Sequence, residues 1–150
     1  MEEEKSNYER KENEERRAGN LDLRTENLDL RIEKSNYENL LVWQKAMNLV
    51  EQVYLKTKMF PKEELYGITS QLRRATLSIP LNIVEGQGRE GKKEFKRFLF
   101  ISRGSAYEVS TIFQVCLKLN YISQEEYQLF YCEVNQIIKM LGGLIRRTKN

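Results

Sequence analysis

Residues 65–86 read LYGITSQLRRATLSIPLNIVEG. Leu65, Ile68, Leu72, Ala75, Ile79 and Ile83 recur at steps of three and four, the signature of an amphipathic helix with one apolar stripe. Pro61 suits the first position of that helix, Glu63 and Glu64 favour its first turn, and the stripe carries it to about Glu85. Leu77, Leu81 and Val84 form a second apolar strip, roughly 120–180° round the helix from the first. A helix in a monomeric bundle buries one face, so the second strip points to an interface with another subunit. Alternatively Pro80, which removes a backbone hydrogen bond and kinks a helix, lets one core take both faces. Gln71, Arg74, Ser78, Asn82 and Glu85 line a polar stripe on the same helix.

The pattern repeats on both sides. Leu40, Trp43, Met47, Val50 and Tyr54 predict a helix over about 39–57. Phe95, Phe98, Leu99, Ser102, Ala106, Val109, Phe113 and Cys116 predict one over about 92–119. Tyr127, Phe130, Val134, Ile137, Leu141 and Leu144 predict the last, opened by Ser123 and Glu126 as a capping box. Short connections make sequential helices antiparallel, so residues 39–150 read as an all-α, up-down-up-down four-helix bundle.

Residues 1–38 read differently. NLDLRTE (20–26) is followed by NLDLRIE (27–33), and EKSNYE occurs at both 4–9 and 33–38. A period of seven suggests a coiled coil, but the leucines stand two apart, so a helix would scatter them over different faces. The segment is expected to be a repetitive, low-complexity leader, partly helical or disordered, with a docking arm as the alternative.

Composition narrows the chemistry. The chain has 150 residues, no histidine and two cysteines. That excludes histidine bases, histidine ligands and a disulfide framework. Cys116 and Cys132 are expected to act as small core or boundary residues. The N-terminus is acidic and unlike a signal peptide, and no apolar run is long enough for a membrane span, so a cytoplasmic, non-membrane protein is expected. Residues 1–38 carry 8 basic and 12 acidic side chains, net −4, whereas residues 39–150 carry 17 and 10, net +7. A basic body favours anionic partners.

Gly86, Gly88 and Gly91 spell G-x-G-x-x-G, but a helix precedes the motif and no strand surrounds it, so it is not a dinucleotide fingerprint. It reads as a turn in which Gly86 ends one helix and Gly91 caps the next, or as an anion site beside Arg89, Lys92 and Lys93. Along the following helix Lys93, Lys96, Phe100, Arg103 and Tyr107 alternate cations with aromatics, and Lys118 extends the stripe. With Arg73, Arg74, Arg89, Lys92 and Arg97 these side chains are candidate nucleic-acid contacts, the cations for phosphates and Phe100 and Tyr107 for unpaired bases. The competing expectation is a solvated face whose aromatics pack on a neighbouring subunit. Glu85 and Glu108 are the carboxylates a catalytic reading would pair, but no spacing brings them together and structural ion pairing is preferred. No catalytic residue, metal ligand or cofactor is assigned, and a non-enzymatic protein is expected.

FPKEELYG (60–67), TSQLRRA (69–75) and SIPLNIVEG (78–86), continued by Glu94-Phe95, Phe98-Leu99, Arg103-Gly104-Ser105 and Glu108, resemble the four-helix-bundle proteins encoded in intervening sequences of 23S rRNA genes. The resemblance covers about residues 39–147. It implies a bacterial, cytosolic bundle, and kinship with the accessory variability determinant proteins of diversity-generating retroelements. Those are homopentameric, basic, nucleic-acid-binding partners of a reverse transcriptase. The Leu77, Leu81 and Val84 strip is expected to be buried between the subunits of a homo-oligomer, by the resemblance a pentamer. A structural or protein-docking module without direct nucleic-acid binding is the alternative. Gly91 stands where the family often has Ser or Thr, and the leader has no counterpart in the family pattern.

Overall fold

The computed structural model describes residues 36–149. The repeats at 4–9 and 20–33 and the expectations placed on them lie outside the described residues. The architecture is four α-helices: α1 (Leu41–Thr57), α2 (Ile68–Gly88), α3 (Lys92–Lys118) and α4 (Gln124–Arg147), with short 3-10 turns at Asn36–Asn39 and Lys62–Glu64. There is no strand among the described residues, and no helix there is long and apolar enough to cross a membrane.

Cross-helix hydrogen bonds fix the directions. Gln71 bonds Glu108, Ser78 bonds Ser105, and Ser102 donates to the Ile79 carbonyl at 2.8 Å, so α2 and α3 run antiparallel. Lys45 donates to Gln136, Gln52 to Glu133 and Lys56 to Glu126, so α1 and α4 are also antiparallel and close the bundle. The core between them is apolar. Leu72, Ile79 and Ile83 of α2, Leu99, Val109 and Phe113 of α3, and Val134, Ile137 and Leu141 of α4 are fully enclosed. Phe113 stacks on Phe130 at a ring separation of 4.3 Å, tying α3 to α4.

The buried face of α1 departs from the sequence reading. Val42, Ala46, Leu49 and Val53 are buried, whereas Met47 and Tyr54 are exposed and Trp43 and Val50 lie on the flank. Both rows are apolar and adjacent on the helix. The smaller side chains allow closer approach of neighbouring helices, and the larger amphipathic ones take the seam: Trp43 meets Tyr37 edge-on, and Arg73 lies over Tyr54.

The start of α2 also differs. Pro61 leads into the 3-10 turn rather than the helix, and α2 begins at Ile68. Its first backbone amide is satisfied from upstream: Ile68 N–H donates to the Glu64 carboxylate at 3.0 Å, and the Tyr121 hydroxyl donates to the other oxygen at 2.9 Å. The amide bond, then the tyrosine bond, hold the Glu64 carboxyl below the usual carboxylate range; the same carboxylate raises Tyr121. The α4 start agrees with the sequence, since Ser123 and Glu126 form a reciprocal capping box. Glu126 is held low first by its hydrogen bond from Lys56.

Gly86 does not end α2. The helix continues to Gly88, and Gly86 is buried against α3, where an added Cβ would come within 2.8 Å of Phe98 Cβ and 3.0 Å of Phe95. Gly91 is the N-cap of α3 at φ 93°, a left-handed conformation that favours glycine.

Two outcomes follow. Gly86→Ala should lower the thermal midpoint, because overpacking costs about 1–3 kcal/mol against about 1 kcal/mol gained from alanine's helix propensity. Circular dichroism melting reads this directly. The folded-state pKa values of Glu64 and Glu126 are depressed. Their contribution to stability is therefore complete above the ordinary carboxylate range, about 4.3, and is lost as pH falls through the lower folded values. The melting midpoint should drop as pH is taken from 5 to 3, and Glu64→Gln should flatten that dependence.

Candidate functional site

The register of α2 on α3 decides what faces outward. Leu99, Ser102, Ala106, Val109 and Phe113 point into the bundle, which turns Lys93, Arg97, Phe100, Gly104 and Tyr107 to the opposite side of α3. Phe100 is 46% exposed and Tyr107 56% exposed. The described ion pairs do not involve Lys92, Lys93 or Lys96. Of the two carboxylates of α3, Glu94 lies on the flank, roughly 120° from Phe100, whereas exposed Glu108 borders the face one turn beyond Gly104 and roughly 40° from it. Each is engaged there: Glu94 pairs with Arg97 at 3.6 Å and Glu108 accepts from Gln71. From Lys93 to Tyr107 the face therefore carries cations and aromatics, with Glu108 at its C-terminal edge toward α2.

The candidate cations fall into three groups. Lys93, Lys96, Arg97 and Arg103 belong to this face of α3. Arg103 lies over the Phe100 ring at 5.0 Å, and its guanidinium reaches toward Gly142 of α4. Arg89, Lys92 and Lys93 gather at the α2–α3 connection, where Arg89 pairs with Glu85 and lies over the Phe98 ring at 5.6 Å. Arg73 stands apart, at the α1–α2 seam, over Tyr54 at 4.8 Å and donating to the Thr57 hydroxyl at 2.8 Å. Arg74 is exposed on α2.

The polar stripe of α2 is largely structural. Asn82 donates to the Ser78 carbonyl at 2.8 Å and to its hydroxyl, and Ser78 reaches Ser105 on α3 at 2.9 Å. Glu85 and Glu108 do not meet. Glu85 is held by Arg89, while Glu108 lies against Gln71, fourteen residues earlier on α2, or about 21 Å along the axis. No group of three or more acidic, cysteine or histidine side chains able to hold a metal occurs among the described residues. Cys116 is buried, which pushes its thiol up to about 11, and Cys132 is exposed.

The second apolar strip of α2 stays outside the core. Leu81 is 57% exposed, Leu77 and Val84 are half-buried, and Leu81, Asn82, Val84, Glu85, Gly88 and Arg89 border a shallow open hollow. Pro80 itself is buried on the other side, so the helix passes through it without turning the strip inward. Ile101 escaped the sequence reading, and Gly104 entered it only as part of the Arg103-Gly104-Ser105 stretch. Ile101 is exposed on the α3 flank toward α2, and Gly104 is exposed between Phe100 and Tyr107. A glycine at the fourth place of an otherwise regular aromatic stripe was the available signal.

Comparison with known proteins supports the fold and adds the family. A solved structure from Bacteroides thetaiotaomicron VPI-5482, described as a protein with unknown function from the S23 ribosomal protein family, is similar at a TM-score of 0.65 and 21% identity. The similarity covers 71% of this chain and 96% of that one, and at this identity it speaks for the fold alone. No curated protein matches the chain. The family model described as 23S rRNA-intervening sequence protein matches residues 38–143, which include α1, α2, α3 and most of α4. The chain therefore belongs to the 23S rRNA-intervening sequence protein family.

Proposed function

We propose that the chain is a non-enzymatic, homo-oligomeric bundle that binds nucleic acid, RNA or DNA, through the outer face of α3. The observation that carries this reading is the stripe from Lys93 to Tyr107, where Lys93, Lys96, Arg97 and Arg103 flank exposed Phe100 and Tyr107. Arg89 and Lys92 extend the positive field to the α2–α3 connection. Lysine and arginine neutralise phosphates and release counterions, and aromatic rings supply stacking surfaces. The excess of basic side chains in residues 39–150 acts in the same direction. By the resemblance to the accessory variability determinant proteins, the assembly is a pentamer in a bacterial cytoplasm and a reverse transcriptase is a candidate partner. The Leu77/Leu81/Val84 strip, with Leu81 exposed and its neighbours half-buried, supports assembly through α2.

Filter binding to RNA and DNA tests the reading. Affinity should fall steeply with salt. Reversing Lys93, Lys96 and Arg103 to glutamate should weaken binding and flatten the log–log salt slope by roughly 0.7–0.9 per lost contact. These side chains lie outside the core, so the melting midpoint should change little. Weak association at low salt that the triple reversal leaves untouched would instead favour a protein-docking module.

Assembly is tested separately by light scattering. The full chain should run as an oligomer at micromolar concentration, and Leu81→Asp should dissociate it while the helical signal is retained. A folded wild-type monomer would remove the interface reading of Leu77, Leu81 and Val84.

A further inference from the structure

Gly104 lies in the middle of α3, is exposed, and has no atom within 4 Å of where a Cβ would stand. Its φ is not positive, so backbone geometry does not require glycine. No packing contact among the described residues requires it either, unlike Gly86. In a helix interior glycine is disfavoured relative to alanine. The neighbours give the position meaning. Phe100 precedes it by four residues and Tyr107 follows by three, so all three lie within roughly 60° on one face. The two aromatic positions are about 10.5 Å apart along the axis. Arg103 reaches back over the Phe100 ring at 5.0 Å, following the N-terminal tilt of helical side chains, and this leaves the Gly104–Tyr107 side open.

We infer that Gly104 is the floor of a slot for an unpaired base, bracketed by the Arg103–Phe100 pair and Tyr107. The ligand class is single-stranded nucleic acid, bound with little sequence preference; this rests on the nucleic-acid reading of the same face. A base stacks at about 3.4 Å from each neighbour, and two such steps fit within the roughly 10.5 Å rise between the Phe100 and Tyr107 positions. Guanidinium and tyrosine faces are both stacking platforms for splayed bases. Lys93, Lys96 and Arg97, roughly two to three turns from Gly104 toward the N-terminus, would meet nearby phosphates. In a duplex the base faces are already stacked, so duplex binding would use the cations alone.

The test is fluorescence anisotropy of the full chain with labelled dT12, U12 and a 12-base-pair duplex, alongside Gly104→Leu, Tyr107→Ala and the triple charge reversal. Gly104→Leu should fill the slot and lower affinity for dT12 and U12 by about 5- to 100-fold, on the scale of one lost stacking contact. Duplex affinity should stay within about 2-fold, and the melting midpoint should hold or rise, because leucine is the better helix former and meets nothing. Tyr107→Ala should show the same single-strand bias. If Gly104→Leu leaves single-strand affinity unchanged, or lowers single-strand and duplex affinity equally, while charge reversal still weakens both, the slot is overturned and the basic-face reading stands. If Gly104→Leu changes the mass in light scattering but not the affinity, the glycine seats a second copy and the slot is again overturned. If the wild-type protein binds none of the three probes, the basic-face reading fails and the slot fails with it.

Discussion

The close packing of α2 on α3 is the constraint from which the rest of the bundle follows. Gly86 has no side chain, so Phe95 and Phe98 can close on the α2 backbone. Ser102, fully buried, donates to the Ile79 carbonyl next to Pro80, and Ser78 and Ser105 join the two helices further along. A rotation or slide of either helix would leave Ser102 in the core without its acceptor, and a buried unsatisfied polar group is costly. Apolar packing alone tolerates small slips; hydrogen bonds at fixed points along the seam do not.

That register has two consequences on the outside. It turns the cation–aromatic stripe of α3 to solvent, and it leaves Leu77, Leu81 and Val84 on the opposite side of α2 from the core. The two candidate surfaces are therefore set by one packing event. Elsewhere the bundle is joined by more exposed, polar links, such as the Lys45, Gln52 and Lys56 bonds from α1 to α4. Each of these is worth less than the core contacts because water competes for the same groups.

The ends of the bundle are held by side chains that the chain brings from a distance. Glu64 bridges the α2 amide at Ile68 to the Tyr121 hydroxyl, connecting the α1–α2 connection to the α3–α4 turn. Phe60 packs against the Tyr121 ring at 5.5 Å, so the same turn is also closed by apolar surface. Glu126 plays a comparable part at the start of α4, where one carboxylate completes a cap and accepts from Lys56 of α1.

The helix count, the capping box at Ser123 and the stripes of α3 and α4 were legible in the sequence, because each rests on local periodicity or a cap chemistry within a few residues, whereas the second strip of α2 was legible as apolar but not as outward-facing, since a kink at Pro80 could have turned it into the core. The basic–aromatic stripe was legible for the same reason. Which of two adjacent apolar rows of α1 is buried was settled by packing between helices, since the fit of Val42, Ala46, Leu49 and Val53 against neighbouring helices is a property of the partner surfaces. The tertiary structure also decided that α2 begins at Ile68, where Glu64 supplies a cap, rather than at Pro61. Gly86 and Gly104 make the point most plainly. Both are glycines inside helices, identical to any local reading, yet one lies against two phenylalanines and the other against open space. What a glycine does in a helix is set by what approaches it, and that is decided by helices distant in the chain.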